Sequence, residues 1–571
     1  MTASSGRSHR LAYVLIVLVG LAAHGLLLLS DVRVADDWMY LKWMENREWE
    51  TFRYFHQFYN NVLQAIPLWP LSYFDNVISA AHIWSLVIIV LSGLVIYRIC
   101  LAIRYFTKDE SLLVAAFSLC YPAFMWHASA IYSVFYNLTV LAFYAALLLS
   151  LVSEKRIGFH RGLLQALSVL LYLYSFHTGS LLVFFYGAAV VHVYVIGLAN
   201  SLGWKEAVRL YLTKRLHFFL GPLFFRGAYQ LFGRPYIWNE PQFDLSMYVD
   251  GLQRFLATVL NQALAVFGDR ILWLVFASFL FTFAGLKFRG SKSISEVLPE
   301  ADRRPRRAAI TLSFGLTLLL LGIFPYIAIG KPPYPGATVG YSTRTLLLAQ
   351  VPVAIVLVSL LQFLASSSYS RLLIYPLAAG MIVSSVALQA KDALTWMYYG
   401  VLDRSFYANL KEMSEAREVS YFIVVDRAYY MATVHHPVVS IPFEIAQIFR
   451  GPNHVFADLV YDFDMRDAQT ARKSLTDLIA EYSAGPVNLT DAWRLVVPAE
   501  YKQGVLLVCP GPEFNKRSRN RLVALYQYYR FLRPEELQQF LSPLLRLRLV
   551  SMSTSSRREL AIEPALSECE R

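Results

Sequence analysis

Recurring apolar segments constrain this chain more than any other feature. Residues 11–30 carry no Lys, Arg, Asp or Glu and are long enough to cross a bilayer as an α-helix. Similar segments recur over most of the sequence, and we place eleven spans near residues 11–29, 84–101, 111–126, 134–152, 162–176, 181–198, 217–232, 271–286, 310–328, 346–364 and 372–388. The sequence therefore predicts an α-helical polytopic membrane protein, with several spans shorter than the roughly 20 residues of a full crossing.

The composition agrees with a membrane protein. Of the 571 residues, 56% are hydrophobic and 16% are charged, against about 25% charged residues in soluble domains. The net charge of +12 does not indicate nucleic-acid binding, because the basic residues gather in particular loops and form no stripe with readout motifs. We therefore expect contact with membrane lipids and none with nucleic acid.

Charge in the connecting loops predicts the orientation of the spans. Loops on the side of the N-terminus carry about twice as many Lys and Arg residues as the opposite loops, and the more basic side of a membrane protein faces the cytoplasm. The N-terminus is therefore expected in the cytoplasm, and an odd number of spans places the C-terminus outside. Since the sequence shows no other targeting signal, we expect a bacterial inner (plasma) membrane.

The character of the chain changes near residue 389. Residues 1–388 form the predicted membrane domain, which includes a long outer loop at 30–83. Residues 389–571 are predicted to form a small extracytoplasmic α/β domain, with strands at 419–426, 437–442, 495–498 and 505–510 and an amphipathic helix at 466–482. Cys509 and Cys569 can pair there in an oxidising compartment, whereas Cys100 and Cys120 fall in or beside spans.

The long outer loop begins with an acidic pair, Asp36-Asp37, followed by Trp38. Aromatic residues are frequent between residues 38 and 73, and Lys and Arg stand among them. A helix over residues 38–49 would place aromatic and apolar residues on one side and charges on the other, which suits a helix in the membrane interface. The loop can therefore hold the two carboxylates at the bilayer surface.

In these features the chain resembles the GT-C superfamily of integral-membrane glycosyltransferases. The shared features are a cytoplasmic N-terminus, the acidic pair Asp36-Asp37 in a long outer loop after the first span, many membrane helices and an outer C-terminal domain. The resemblance covers the whole chain as architecture, and residues 330–344 add a second outer loop. It implies transfer of a sugar from a polyprenyl-phosphate carrier to a cell-envelope glycan, lipid or protein.

The chemistry of such a transfer gives the carboxylates a role. An acceptor hydroxyl must lose its proton as it attacks the anomeric carbon, and a nearby carboxylate can act as that base. Adjacent carboxylates repel each other, which favours one of them keeping its proton longer. We assign one of Asp36 and Asp37 as the base, with a preference for Asp37, and the other as a sugar-hydroxyl or structural anchor. A single displacement of this kind inverts the anomeric centre.

The anionic leaving group requires cations or oriented hydrogen-bond donors. The loop at 330–344 provides Lys331 and Arg344, and Arg suits phosphate because its planar guanidinium can bind two oxygens. The resemblance implies that the substrate-binding residues are Lys331, Arg344, Tyr341, His56 and Trp38. The chemistry requires no cofactor, and a divalent cation at the acidic pair stays open. His435-His436 has no further ligands at a recognisable metal-site spacing.

Other interpretations stay open at this point. The acidic pair can be a polar flank that ends the first span, and the cations of the 330–344 loop can pair with ordinary lipid headgroups. His127, Tyr132 and His177 are expected to have structural roles. Two other function classes fit the sequence, a transporter or flippase of lipid-linked sugars and a non-enzymatic envelope assembly factor. The spans contain almost no charged residues, which argues against ion-coupled transport.

Overall fold

The fold is that of a computed structural model of the chain. It describes residues 3–30, 33, 37, 40–41, 44, 47, 49, 66–121, 129–214, 216–232, 245–268, 277, 304–329, 346–364, 368–419, 421–426, 456–460, 503–521, 524–525, 528 and 534–552. The predicted strands at 437–442 and 495–498 and the predicted helix at 466–482 lie outside these residues.

The chain divides into two compact units, each of which is described by itself. Unit 1 comprises Met1–Leu29, Trp49–His127 and Ser133–Asp392, and unit 2 comprises Ser30–Glu48, Ala128–Tyr132 and Ala393–Arg571. The sequence-based division assigned residues 30–48 to the membrane domain, whereas the compact units group them with the C-terminal region. Chain segments that follow the first span are thus part of the same unit as the C-terminal domain.

Helices make up the described part of unit 1. Eleven α-helices have all or most of their residues in it: α1 (Ala3–His24), α2 (Val77–Ile103), α3 (Lys108–Leu119), α4 (Ile131–Ser153), α5 (Gly158–Ser175), α6 (Ser180–Asn200), α7 (Trp204–Lys214), α8 (Leu216–Phe232), α9 (Leu245–Gly268), α10 (Arg304–Ala328) and α11 (Gln350–Leu364). The 45-residue helix α12 (Ser368–Glu412) begins in unit 1 and ends in unit 2. The last predicted span, 372–388, is therefore one part of a much longer helix.

Six helical segments are long and apolar enough to cross a membrane. By length and composition they are His9–Leu29, Val77–Ile103, Ser133–Ser153, Ser180–Gly197, Arg307–Ala328 and Leu377–Glu412. The predicted count of eleven spans is not confirmed, because α3 has 12 residues and α11 has 15, fewer than a full crossing needs. Of the predicted span at 271–286, only Ala277 is described. The structure supports a membrane protein, but it does not confirm the predicted number of spans.

Local signals in the sequence explain where helices begin. Thr107 precedes α3, where its Oγ1 accepts a hydrogen bond from the Glu110 N–H at 3.3 Å and its N–H donates to Glu110 Oε2 at 2.7 Å. This reciprocal capping satisfies two backbone donors at the start of a short helix. Asn76 starts α2 in the same way, since its Oδ1 accepts from the Ser79 N–H at 3.0 Å.

Two side-chain contacts of α1 show the relative directions of α1, α2 and α3 in unit 1. At the end where the chain begins, Arg98 Nη1 donates to Tyr13 Oη at 2.9 Å. At the other end, His24 Nε2 lies 2.8 Å from the carbonyl oxygen of Leu119. Helices α1 and α3 therefore run in the same direction, and α2 runs antiparallel to them. We call the end that holds His24 and Leu119 the far end of unit 1.

Helix α9 lies in a region that the sequence interpretation left as an outer loop. Its buried residues Gly251, Phe255, Thr258 and Gln262 recur at three- and four-residue intervals. Its opposite stripe, made of Leu245, Val249, Leu256, Leu260 and Leu264, is at least 49% exposed. A helix with one buried polar-containing stripe and one exposed apolar stripe suits a membrane interface. No apolar span was predicted here, because α9 carries charged residues and has polar residues on its buried side.

Unit 2 contains a four-stranded sheet. Its strands are β1 (Tyr421–Asp426), β2 (Phe456–Val460), β3 (Gln503–Pro510) and β4 (Leu545–Met552), in the order β2-β1-β3-β4. Strand β1 pairs in parallel with β2 and β3, and β4 pairs antiparallel with β3. Two short helices, α13 (Phe514–Arg519) and α14 (Pro534–Leu541), lie between β3 and β4 in the chain. The predicted strands at 419–426 and 505–510 coincide with β1 and β3, and the small α/β domain has this sheet as its described core.

The last part of α12 packs in unit 2. Trp396, Val401, Leu402 and Phe406 are at most 3% exposed, so this part of the helix has a buried apolar side. Two polar groups fix its register, because Ser405 Oγ donates to the Leu541 carbonyl oxygen at 2.8 Å and Asn409 Nδ2 donates to the Leu545 carbonyl oxygen at 2.9 Å. The helix is therefore held to the turn that begins β4.

The cysteines differ between the two units. Cys100 and Cys120 are free and buried in unit 1. Cys509, at the end of β3 in unit 2, is disulfide-bonded. Cys569, the other cysteine of the C-terminal region, lies outside the described residues.

In unit 1, Arg161 and His192 form a triad with the buried carboxylate of Glu154. Glu154 follows α4, and its side chain is 7% exposed. Its Oε2 lies 3.3 Å from Arg161 Nη2, and its Oε1 lies 3.3 Å from His192 Nε2. The His192 ring meets the Tyr211 ring edge-on at 5.4 Å. Since a buried carboxylate requires compensation, the triad joins α5 and α6 to the end of α4.

We expect Glu154→Gln to lower the free energy of unfolding by about 1–3 kcal/mol, because it removes a buried carboxylate that Arg161 and His192 both contact. Lys155→Gln is the matched control, since Lys155 is the exposed neighbour of Glu154. Thermal unfolding of the purified proteins in detergent would measure the difference. Equal melting temperatures for the two variants would show that the triad contributes little.

Candidate active site around the acidic pair

Asp37 belongs to a helical segment whose described residues share one buried face. Asp37, Tyr40, Leu41 and Met44 are helical, and each is at most 4% exposed. Their spacing of three and four residues places them on one side of a helix. Arg47 has φ 52° and its N–H bonds to the Met44 carbonyl oxygen at 3.1 Å, so the chain turns there. Within the predicted helix at 38–49, the described residues thus bury one side.

Asp37 accepts three hydrogen bonds from a short segment far away in the sequence. Its Oδ1 accepts from Ser129 Oγ at 3.0 Å and from the Ile131 N–H at 2.9 Å. Its Oδ2 accepts from the Ala130 N–H at 2.8 Å. All four residues belong to unit 2, and Asp37 is 0% exposed. The carboxylate therefore joins the helical segment at residues 37–44 to residues 129–131.

The donors of this contact are the first N–H groups of a helix. Helix α4 begins at Ile131, so the Ala130 and Ile131 N–H groups have no acceptor within the helix. A helix N-terminus also carries partial positive charge, which favours an anion. Asp37 thus satisfies backbone donors that would otherwise be buried without an acceptor from the helix itself.

This environment suits an anchor better than a base. Two of the three donors are backbone N–H groups at a helix start, which cannot rotate away from the carboxylate. Charge-assisted hydrogen bonds of this kind stabilise the ionised form. A general base must instead come within hydrogen-bond distance of a substrate proton. The geometry of Asp37 therefore matches a residue that positions the loop around it.

The other sequence-predicted site residues lie outside the described residues. These are Asp36, Trp38, His56, Lys331, Tyr341 and Arg344. Their assignment therefore stays a prediction. Of the acidic pair and its expected substrate-binding partners, Asp37 alone is described with its hydrogen-bond partners.

Of the residues expected to have structural roles, His177 is the one whose side chain is described. His177 is part of the turn after α5, where its N–H bonds to the Tyr174 carbonyl oxygen at 3.3 Å and its ring meets Phe225 edge-on at 5.3 Å. These contacts are those of a packed residue. His127, the side chain of Tyr132, and His435-His436 lie outside the described residues.

Ser129 is the residue of this site that the sequence interpretation missed. It stands two residues before α4, where Ser, Thr, Asp and Asn often cap helices. That signal predicts a helix start at this position. It does not predict that a carboxylate 92 residues away would take over the capping role.

Neither metal-binding groups nor similarity to known proteins adds a residue to this candidate site. Among the described residues, no group of three or more His, Cys, Asp or Glu side chains is arranged to hold a metal ion. No protein-family model matches the sequence, and no curated protein sequence matches it.

We expect Asp37→Asn to lower the free energy of unfolding by about 2 kcal/mol, because the amide replaces an accepting oxygen with a donor that faces other donors. Asp75→Asn is the matched control, since Asp75 is an exposed carboxylate of the same predicted outer loop. Thermal unfolding and the yield of monodisperse protein in detergent are the measurements. If both variants behave like the wild-type protein, Asp37 is not a structural anchor.

Proposed function

We propose that this protein is an integral-membrane glycosyltransferase. It would transfer a sugar from a polyprenyl-phosphate carrier to a cell-envelope glycan, lipid or protein on the extracytoplasmic face. The observation that carries the proposal is the acidic pair after the first apolar helix, with Asp37 fixed against the start of α4. A fixed carboxylate next to a second carboxylate is a suitable arrangement for holding a base at a membrane surface.

Within this proposal the two carboxylates have different roles. Asp37 is the anchor, since its oxygens accept three hydrogen bonds from the protein. Asp36 becomes the preferred base, which reverses the preference drawn from the sequence. The base takes the proton of the acceptor hydroxyl while the anomeric centre is inverted in a single displacement.

The leaving phosphate would be stabilised by cations of a second outer loop. Lys331 and Arg344 are the proposed partners, with Tyr341, His56 and Trp38 as further substrate contacts. Arg can bind two phosphate oxygens at once, and Lys supplies a compact positive charge. The reaction needs no cofactor in this proposal, and a divalent cation is tested by the same assay below.

The proposed orientation places unit 2 outside the cytoplasm. The six apolar helices support a membrane location, and the loop charges support a cytoplasmic N-terminus. The disulfide at Cys509 adds support, because disulfides persist in oxidising compartments such as the periplasm and are rare in the cytosol.

We expect Cys509 to resist alkylation in intact cells until the protein is denatured and reduced. Cys100 and Cys120 should react after denaturation alone, because they are free thiols hidden by burial. Peptide mass spectrometry with two isotopically distinct alkylating reagents would separate the two classes. A Cys509 that is alkylated without reduction would contradict the extracytoplasmic assignment.

The enzymatic proposal is tested with purified protein, labelled polyprenyl-phosphate sugars and envelope acceptors. Asp36→Asn should reduce transfer at least about 100-fold while the protein stays folded, because loss of a general base has an effect of this size. Asp75→Asn should leave transfer unchanged. The same assay with EDTA tests for a divalent cation.

Two results would contradict the proposal. Full transfer by Asp36→Asn would remove the base from the mechanism. Movement of labelled lipid across vesicles without any sugar transfer would identify a flippase instead.

A further inference from the structure

Basic side chains from three helices meet at the end of unit 1 that is opposite to the far end. His9 and Arg10 are adjacent in α1, Arg98 lies near the end of α2, and Lys108 is the first residue of α3. Arg98 and Lys108 both act electrostatically on His9, so these three side chains lie close together. We call Arg10, Arg98 and Lys108 the basic cluster. All three are exposed.

Two tyrosines hold this part of the structure in place. Tyr97 is 1% exposed, and its ring meets the Tyr13 ring edge-on at 5.7 Å. Tyr97 Oη lies 3.1 Å from His9 Nδ1, and Tyr13 Oη accepts the hydrogen bond from Arg98 Nη1 at 2.9 Å. A tyrosine hydroxyl is neutral at pH 7, so it orients the guanidinium without compensating its charge. The Arg98 side chain is therefore positioned and still positively charged.

Nearby carboxylates do not neutralise the basic cluster. Within the described part of the chain, none of its three cations has a carboxylate oxygen within 4 Å. Glu110 is occupied by Arg307 and by the N–H of Thr107. Asp109 is close enough to act electrostatically on Tyr97, but it provides a single negative charge against three positive ones. The cluster is thus a net positive surface.

Exposed apolar side chains continue from the cluster along two helices. On α1 they follow Arg10 at helical spacing, and each is 38–61% exposed: Leu11, Val14, Leu15 and Leu18. On α2, Leu91 is 43% exposed and stands seven residues before Arg98, which places both on one side of the helix. Both helices are candidate membrane spans, so these sides suit contact with acyl chains.

The two features together match an anionic phospholipid. Lys and Arg residues at a membrane surface attract anionic lipids, and a guanidinium can bind two phosphate oxygens at once. A zwitterionic headgroup brings its own cation, so it gains less from a net positive surface. Free phosphate would satisfy the cations but would leave the apolar sides of α1 and α2 without a role. The occupant that uses both features is therefore a lipid with net negative charge.

We propose that the basic cluster binds the phosphate headgroup of an anionic phospholipid. Arg98, held by Tyr13, would bind two phosphate oxygens, and Arg10 and Lys108 would add positive charge around them. The acyl chains would lie along the exposed apolar sides of α1 and α2. The site is independent of the proposed enzymatic function, because it uses no residue assigned to sugar transfer.

Native mass spectrometry of the purified full-length protein in detergent tests the site. The probes are phosphatidylglycerol, phosphatidylcholine and inorganic phosphate, and a titration gives the dissociation constant Kd of the first bound lipid. We expect phosphatidylglycerol to bind at least about tenfold more tightly than phosphatidylcholine. Inorganic phosphate at the same concentration should not displace it, since free phosphate makes no contact with the apolar sides.

The double variant Arg10→Gln/Lys108→Gln should raise the Kd of phosphatidylglycerol about 30-fold, because each basic residue near a membrane surface contributes roughly a factor of five. Arg98→Gln, which loses the hydrogen bond to Tyr13 as well as a charge, should raise this Kd at least about fivefold. Thermal unfolding of each variant checks that it is folded. Either variant alone suffices for the test.

The matched control is the double variant Lys205→Gln/Arg209→Gln. It removes the same charge from exposed residues of α7, which packs on α6 and α8. Its Kd for phosphatidylglycerol should equal that of the wild-type protein.

Three results would overturn the proposal. Equal Kd values for phosphatidylglycerol and phosphatidylcholine would show that the headgroup charge is not recognised. An equal loss of binding in the control and in the cluster variants would show an effect of net charge alone. Displacement of phosphatidylglycerol by an equal concentration of inorganic phosphate would identify a general anion site in place of a lipid site.

Discussion

The carboxylate of Asp37 is the interaction on which the candidate site depends. It accepts hydrogen bonds from Ser129 Oγ and from the Ala130 and Ile131 N–H groups, all of them buried. One side chain thereby satisfies the start of α4 and joins it to Asp37, in the segment that follows the first apolar helix. A buried carboxylate without such donors would be strongly unfavourable, so the contact and the fold of this segment require each other.

This contact changes how the acidic pair is interpreted. The sequence alone offers two carboxylates and gives no physical reason to separate their roles. Burial and three donors identify Asp37 as an anchor, because its carboxylate is occupied by the protein. The role of Asp37 as an anchor thus depends on residues about 90 positions away in the sequence. No local pattern near residue 37 predicts this contact.

The fold could be predicted where one physical signal dominates. Long apolar runs predicted α1, α2, α4, α6 and α10, because a membrane helix must bury its backbone polar groups within itself. The run of Val and Leu in β3 predicted a buried strand. Helix α9 was not predicted as a span because its leucines stand among polar residues at helical spacing, and β4 was not predicted although its Leu-Arg alternation is typical of a half-exposed strand. The membership of residues 30–48 in unit 2 depends on contacts between distant segments, which the sequence does not display.

A double-mutant cycle between Asp37 and Ser129 tests the central claim most directly. Unfolding in mixed detergent micelles would be measured for the wild-type protein, Asp37→Asn, Ser129→Ala and the double variant. A side-chain hydrogen bond to a buried charge predicts a coupling energy of about 1–2 kcal/mol, so the double variant should be less destabilised than the sum of the single variants. Additive effects would contradict the account, because they would mean that the contact between Asp37 and Ser129 does not hold their two segments together.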